Sequence, residues 1–437
     1  MNFVRTIGFV LCFFIGYAGP ESALALCPVD PVANEVVIRY EDFVYQETIK
    51  TDLLYREGFE LSAAILQLNG TDKLHLSFDD LDPVAKNYSY TFIHCDAAWN
   101  PSTLSTSDYI DGYIEDKISG YQFSFNTLQK YLHYTLIFPT DVLKPTKSGN
   151  YLLKVYADYD PNKLVLTKRF MVIDPKIQID ATVKPNPMDQ MRKQDVNFTL
   201  NCSNYVIDNP QIEVKVNICQ NGRWDNSIPH LKPQFIRENQ LVYTFDSGNS
   251  FNGGNEFRIL DIRSLRFQTD RILRFDFDSA KKNHVYLLND DVRQYKRYST
   301  YTDINGKYKI KSQEGINSEL EADYVFVHFA IDFENPINDG NFYVFGGLTD
   351  WRIDKRFQLI YNPKKLVYEG IAYMKQGYYN YQYTFVKDKT TKLEESLTEG
   401  NHAETENDYA IYVYHRPMGS RYDQLIGIKQ FNSAQGF

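Results

Sequence analysis

The chain has 437 residues and a formal net charge of -9, and an evenly acidic protein of this kind is a poor nucleic-acid binder. Its 34 Tyr and 29 Phe, against 17 Pro and 23 Gly, exclude a disordered chain and supply apolar material for several cores. Length alone sets an expectation of about two to three domains.

In chain order, Arg5, an apolar run over 6–18 and the triplet Ala23-Leu24-Ala25 predict a secretory signal peptide over residues 1–25. The apolar run is too short for a bilayer span, and no later segment reaches that length, so an exported chain without a membrane span is expected. Cys27 follows Leu26, where a bacterial lipoprotein signal needs a small residue, so a lipid anchor is not expected.

Strand signals then dominate. Residues 35–45 and 73–78 alternate apolar and polar positions, with Leu74, Leu76 and Phe78 on one face, and 61–68 lies between them. Residues 110–128 are less regular and leave room for a short helix. Residues 151–156 and 164–173 flank Asp158-Tyr159-Asp160-Pro161-Asn162, which reads as a hairpin connection. Pro175 ends this unit, and Lys184-Pro185-Asn186-Pro187 reads as a linker.

Strands over 195–202, 211–219, 241–245, 257–262 and 273–277 make a second unit, with Asn221-Gly222 supplying a tight hairpin. The polar stretch 312–323 marks the next boundary. Strands over 324–331, 341–345, 366–374 and 378–386 form a third unit, closed by 408–414. Many short strands joined by turns predict an all-β fold of tandem immunoglobulin-like β-sandwich domains. The expected division is 26–175, 176–311 and 312–437.

Chemistry-bearing motifs are few. His94, Cys95 and Asp96 are consecutive, so a strand sends the middle one to the opposite face and they form no nucleophile–base line unaided. The expected arrangement is a buried Cys95 between two surface-facing polar neighbours. Asp158, Asp160 and Asn162 open like a calcium loop, but Lys163 and Arg169 stand where Gly and a carboxylate belong. Asp79, Asp80 and Asp82 read as an acidic turn. No CxxC, HExxH, nucleophile elbow or phosphate loop is present, so neither a metal site, a cofactor nor an enzyme activity is expected. Cys202 and Cys219 are the best-placed pair for a disulfide, with two separate buried thiols as the alternative. Phe437 ends the chain as in outer-membrane barrels, yet 432–436 lack the alternating apolar face of a lipid-facing strand.

Tyr343-Val344-Phe345-Gly346-Gly347-Leu348-Thr349-Asp350-Trp351 and the later Gly377-Tyr378-Tyr379-Asn380-Tyr381-Gln382-Tyr383 resemble early-set immunoglobulin-like modules that bind glycogen or starch. That resemblance implies a sugar-stacking role for Trp351 and makes a periplasmic glycan-binding protein the alternative function.

Colinear blocks at 76–81, 90–99, 149–158, 220–226, 253–266 and 404–427 resemble the type IX secretion system plug protein family across nearly the whole mature chain. The resemblance implies a non-enzymatic periplasmic protein that binds and seals the periplasmic opening of the outer-membrane translocon β-barrel, with that barrel and its associated proteins as partners. Trp99, Trp224 and Trp351 are then the candidate contact residues, with core burial as the competing reading.

Overall fold

Strand alternation builds the first sandwich of the computed structural model, which describes residues 37–244 and 248–436. The signal peptide, Cys27 and Phe437 lie outside the described residues. One sheet orders Phe43–Val44, Leu164–Ile173, Gly149–Ala157, Tyr88–Cys95 and Asp116–Ile118. The facing sheet orders Ile49–Arg56, Leu74–Asp80, Leu132–Phe138 and Gly120–Phe123. Leu74, Leu76 and Phe78 point between the sheets into a core with Tyr90, Phe92, Leu132 and Phe170. Successive side chains alternate faces, so Ser77 and Asp79 point the other way.

The second sandwich sets Gln178–Asn186, Asp189–Asn201, Gln240–Tyr243 and Phe235–Arg237 against Ile228–Leu231, Val214–Gln220, Asp408–His415 and Gln424–Asn432. Its core joins Val196, Phe198 and Leu200 to Val216, Ile218, Ile411 and Val413. Two expectations change here. Lys184-Pro185-Asn186-Pro187 is a hairpin tip rather than a linker, with Pro185 opposite Gln194 on an edge strand that tolerates proline. Residues 408–414 do not close the third unit: Val216 pairs with Val413 and Ile218 with Ile411.

The third group is a ten-stranded sheet system over Arg258–Asp261, Ile272–Phe277, Asn283–Leu287, Tyr308–Ile310, Tyr324–Asp332, Gly340–Phe345, Gln358–Asn362, Val367–Lys375, Gly377–Lys387 and Leu393–Glu394. Strands at 258–261 and 272–277, expected in the second unit, therefore belong here. Arg258 pairs with Tyr381, and both Leu260 and Ile262 join this core beside Val327, Phe342 and Tyr381. In strand membership the third unit is an insertion within the second sandwich rather than the last of three in series. Chain order misleads because the second sandwich recovers its missing strands only after the insertion.

The irregular stretch at 110–128 holds short strands, Ile110–Gly112, Asp116–Ile118 and Gly120–Phe123, with a single helical turn at Thr106–Tyr109 before it. The described residues from Val37 onward pack as one compact unit.

Candidate functional site

The predicted tryptophans lie at seams between these groups. Asp96 Oδ1 accepts from the backbone N–H of Ala98 and of Asn100, closing a turn that holds Trp99 at φ 65°. The Trp99 ring thereby crosses to the second sandwich and meets Trp224 edge to face, centroids 5.2 Å apart. Trp224 in turn stacks on Tyr412 at 5.3 Å. The Arg169 guanidinium lies 4.5 Å from the Trp99 ring and donates through Nε to Tyr40 O. Cation and rings together suit a water-poor seam. Trp351, at φ 56°, packs on Phe257 and Phe345 under the buried Arg223, which pairs with Asp225 and Glu395. Trp99 is buried, while Trp224 and Trp351 are each part-exposed at their seams.

Cysteine placement follows strand parity. Val216 and Ile218 face the second core, so Cys219 faces the opposite seam with Cys95 and Trp99, while Cys202 lies in the second core. The proposed Cys202–Cys219 bridge is absent: both are buried free thiols, Cys202 in the core between the two sheets and Cys219 on the far side of the sheet that carries it. Burial pushes the Cys95 thiol up to about 12. His94, expected at the surface, is buried among Tyr109, Tyr151 and Tyr422, and burial pushes it down to about 4. Its strand is covered on both faces, by its own core and by the second sandwich.

The Asp79-Asp80-Asp82 turn also differs from expectation. Asp79 and Asp80 are fully buried. Asp80 accepts from Tyr88 and Lys86, at 2.7 and 2.8 Å. Asp79 faces the third unit, which supplies Lys375 Nζ at 2.6 Å and Tyr324 Oη at 2.7 Å, while His133 Nδ1 lies 2.7 Å away on the neighbouring strand of its own sheet. Burial pushes the Asp79 carboxyl up, but Lys375 and His133 outweigh it and hold it below the usual range. Beside this group, Lys168 Nζ bridges Asp52 and Asp350, each at 2.7 Å, across the same seam. These are structural clamps: among the described residues no group of three His, Cys, Asp or Glu side chains is placed to hold a metal ion.

A surface feature that the sequence does not reveal as such is the edge of the first sandwich over 113–128. Tyr113, Ile114, Phe123, Phe125 and Leu128 are each more than half exposed, and Tyr121 is close to half. Tyr121 and Phe123 rings stand 6.2 Å apart on the edge strand. Contiguous exposed aromatics of this kind mark interaction surfaces. The base of this strip is held rigidly: Phe125 N donates to Leu320 O at 2.9 Å. Leu128 N and Gln129 N donate to the Asp323 carboxylate, and Tyr131 Oη donates to Ala322 O. The sequence signal was the aromatic content of an irregular stretch with no alternation to bury it.

A family model described as "Type 9 secretion system plug protein 1st domain" matches residues 49–174, which span most of the first sandwich and the whole aromatic strip. A crystal structure of a hypothetical protein from Parabacteroides merdae ATCC 43184 is 32% identical, covers 91% of this chain and 100% of that one, and superposes with a TM-score of 0.87. The chain belongs to the type 9 secretion system plug protein family. Residues outside the family match share the fold of the Parabacteroides protein, because that likeness runs through all three strand groups. The Enterococcus faecalis MSCRAMM ACE aligns at 8% identity with a TM-score of 0.10, too low to inform the fold. No curated protein matches the chain. No described helix of this plug-family chain is long and apolar enough to cross a membrane.

Proposed function

We propose that this chain is a non-enzymatic accessory protein of the type 9 secretion system that docks on the periplasmic opening of the outer-membrane translocon barrel and seals it. The observation that carries the docking surface is the exposed aromatic strip at 113–128, inside the family-matched region and pinned at its base to the third unit. Aromatic residues favour interface centres because they bury a large area while losing few rotatable bonds. A rigid base keeps the ordering cost of docking low. Membership in the plug family supports a periplasmic or outer-membrane-associated location and an accessory rather than catalytic role.

A tagged chain carrying Tyr121→Asp, Phe123→Asp and Phe125→Asp tests the reading by affinity capture from envelope extracts. The wild type and a Met418→Asp control, altered at an exposed residue elsewhere, recover the translocon barrel, and the triple variant does not. Undiminished capture by a folded triple variant places docking elsewhere. Failure of the wild type to capture the barrel removes the plug reading altogether.

A further inference from the structure

A cavity of about 570 Å³ opens between the first sandwich and the third unit. Phe326, Tyr373 and His284, side by side on the solvent-facing side of the third sheet system, line one wall, with Phe326 and His284 stacked at 5.0 Å and Phe326 and Tyr373 at 4.6 Å. Lys50, Arg352 and Arg356 supply cations to the same cavity. The carboxylates nearby are already engaged. Asp52 and Asp350 hold Lys168, and Asp354 takes a fork of hydrogen bonds from Arg356 at 2.5–3.1 Å.

Lys50 has carboxylates near it, Asp354, Glu47 and Asp52, but no hydrogen bond or close ion pair with any of them among the described residues, and Arg352 Nε is buried with no hydrogen-bond partner. Arg352 approaches Glu41 at 4.0 Å through Nη1, lies over the face of Phe43, and acts on Asp350 and Asp354 at longer range. We propose that this cavity binds a small organic anion, its carboxylate or phosphate head against Lys50 and Arg352 and its ring or chain along Phe326 and Tyr373. Lys50 feels Asp354, Glu47 and Asp52 only at a distance, with none in hydrogen-bonding contact, so an anion that reaches it directly adds a charge-assisted contact that the protein itself does not supply. The aromatic wall offers stacking to the body of the same molecule. Burial, and then the like charge of Arg356, push the Lys50 ammonium down to about 8 against the smaller upward pull of Asp354, Glu47 and Asp52. Because one wall comes from the first sandwich and the other from the third unit, an occupant ties the two together.

Phenyl phosphate is the probe, titrated calorimetrically into the purified full chain, with inorganic phosphate as the head alone and benzyl alcohol as the ring alone. The site predicts saturable one-to-one binding of phenyl phosphate, at least about tenfold weaker binding of either fragment, and a melting temperature that rises with probe concentration. Lys50→Met weakens binding about tenfold or more, while Lys50→Arg retains it. Ile371→Trp, at an exposed residue lining the cavity, weakens binding by filling the space without removing a charge. Unsaturable heat for phenyl phosphate, equal binding by Lys50→Met, or equal binding of benzyl alcohol overturns the proposal. Barrel capture through 113–128 uses other residues, so either outcome leaves the docking reading to its own test.

Discussion

Trp99 and Trp224 belong to different sandwiches and meet edge to face 5.2 Å apart, with Arg169 laid against both rings. Two loops that each look like surface decoration in the sequence thus close one seam. Asn217 Nδ2 donating to Ala97 O at 2.8 Å and Tyr414 Oη donating to Asn150 Oδ1 at 2.8 Å extend that seam with satisfied polar pairs.

Removing the buried ring exposes how much the seam contributes. Trp99→Ala is expected to cost about 3–5 kcal/mol, as large aromatic truncations in well-packed sites do. A cycle of Trp99→Phe and Trp224→Phe should show a coupling of about 0.5–1.5 kcal/mol beyond additivity. Urea unfolding of the four proteins measures both, and strict additivity speaks against direct ring contact.

The Asp79–Lys375 pair, each side chain 1% exposed, predicts an asymmetric mutational response. Lys375→Met strands a buried carboxylate and should cost about 3–5 kcal/mol. Asp79→Asn combined with Lys375→Met should recover much of that loss, because no unpaired charge remains. Equal destabilisation by the single and double variants would contradict the pairing.

His133 makes the same seam sensitive to pH. Burial pushes its pKa down, but the hydrogen bond to Asp79 and the Glu319 carboxylate 3.6 Å from Nε2 outweigh burial and leave it above the ordinary 6.5. A raised folded pKa means the charged imidazolium contributes stability in full below about 6.5, and this contribution is lost as pH climbs through the folded value. Asp79 runs the other way: its lowered pKa contributes stability that persists above 3.8 and disappears in acid. The expected result is a melting temperature that declines above neutral pH in the wild type and is flatter in His133→Gln. Parallel profiles for the two proteins would count against the assignment.

Gly306 sits at φ 77° directly beneath the Trp351 ring, and a Cβ there would overlap that ring and come within 2.8 Å of Phe257. Gly306→Ala therefore combines backbone strain with overpacking and should cost at least about 1–3 kcal/mol. Red-shifted tryptophan emission would report the displaced ring. An unshifted spectrum with unchanged stability would mean the ring has room to spare.

Cys95 and Cys219 face a dry seam, and burial raises both thiols. Neither should react with iodoacetamide in the native protein near pH 8, and both should react promptly in guanidinium. Peptide mapping without reductant should recover Cys202 and Cys219 on separate peptides. A linked peptide would require the sheet between them to be breached.

Much of the fold was legible because strand pairing leaves a periodic mark. Leu74, Leu76 and Phe78 alternate with polar neighbours, and the hairpin at 158–163 carries turn residues that its backbone needs, with Asp158 and Tyr159 both at positive φ. The mark fails where both faces of a strand are covered. Residues 408–415 bury Tyr409, Ile411 and Val413 in one core and Tyr412 and Tyr414 in the neighbouring seam, so no alternation says which sheet they join. Asp79 looks like a surface residue for the same reason, since its outward face meets Lys375 and Tyr324 of the third unit, whereas His94 shares the inward parity of Tyr90 and Phe92 and it is Cys95 that faces the neighbouring layer.

The aromatic strip at 113–128 was visible as composition but not as surface, since Phe123 reads alike whether buried or 63% exposed. The amino-acid order by itself determined the all-β character, the strand-and-turn grammar and the family, because these depend on local periodicity and on colinear blocks. Tertiary packing alone decided which strands share a sheet, which charges are paired and which aromatics are left facing water. Those outcomes depend on what lies across each face, and residues distant in the chain supply it.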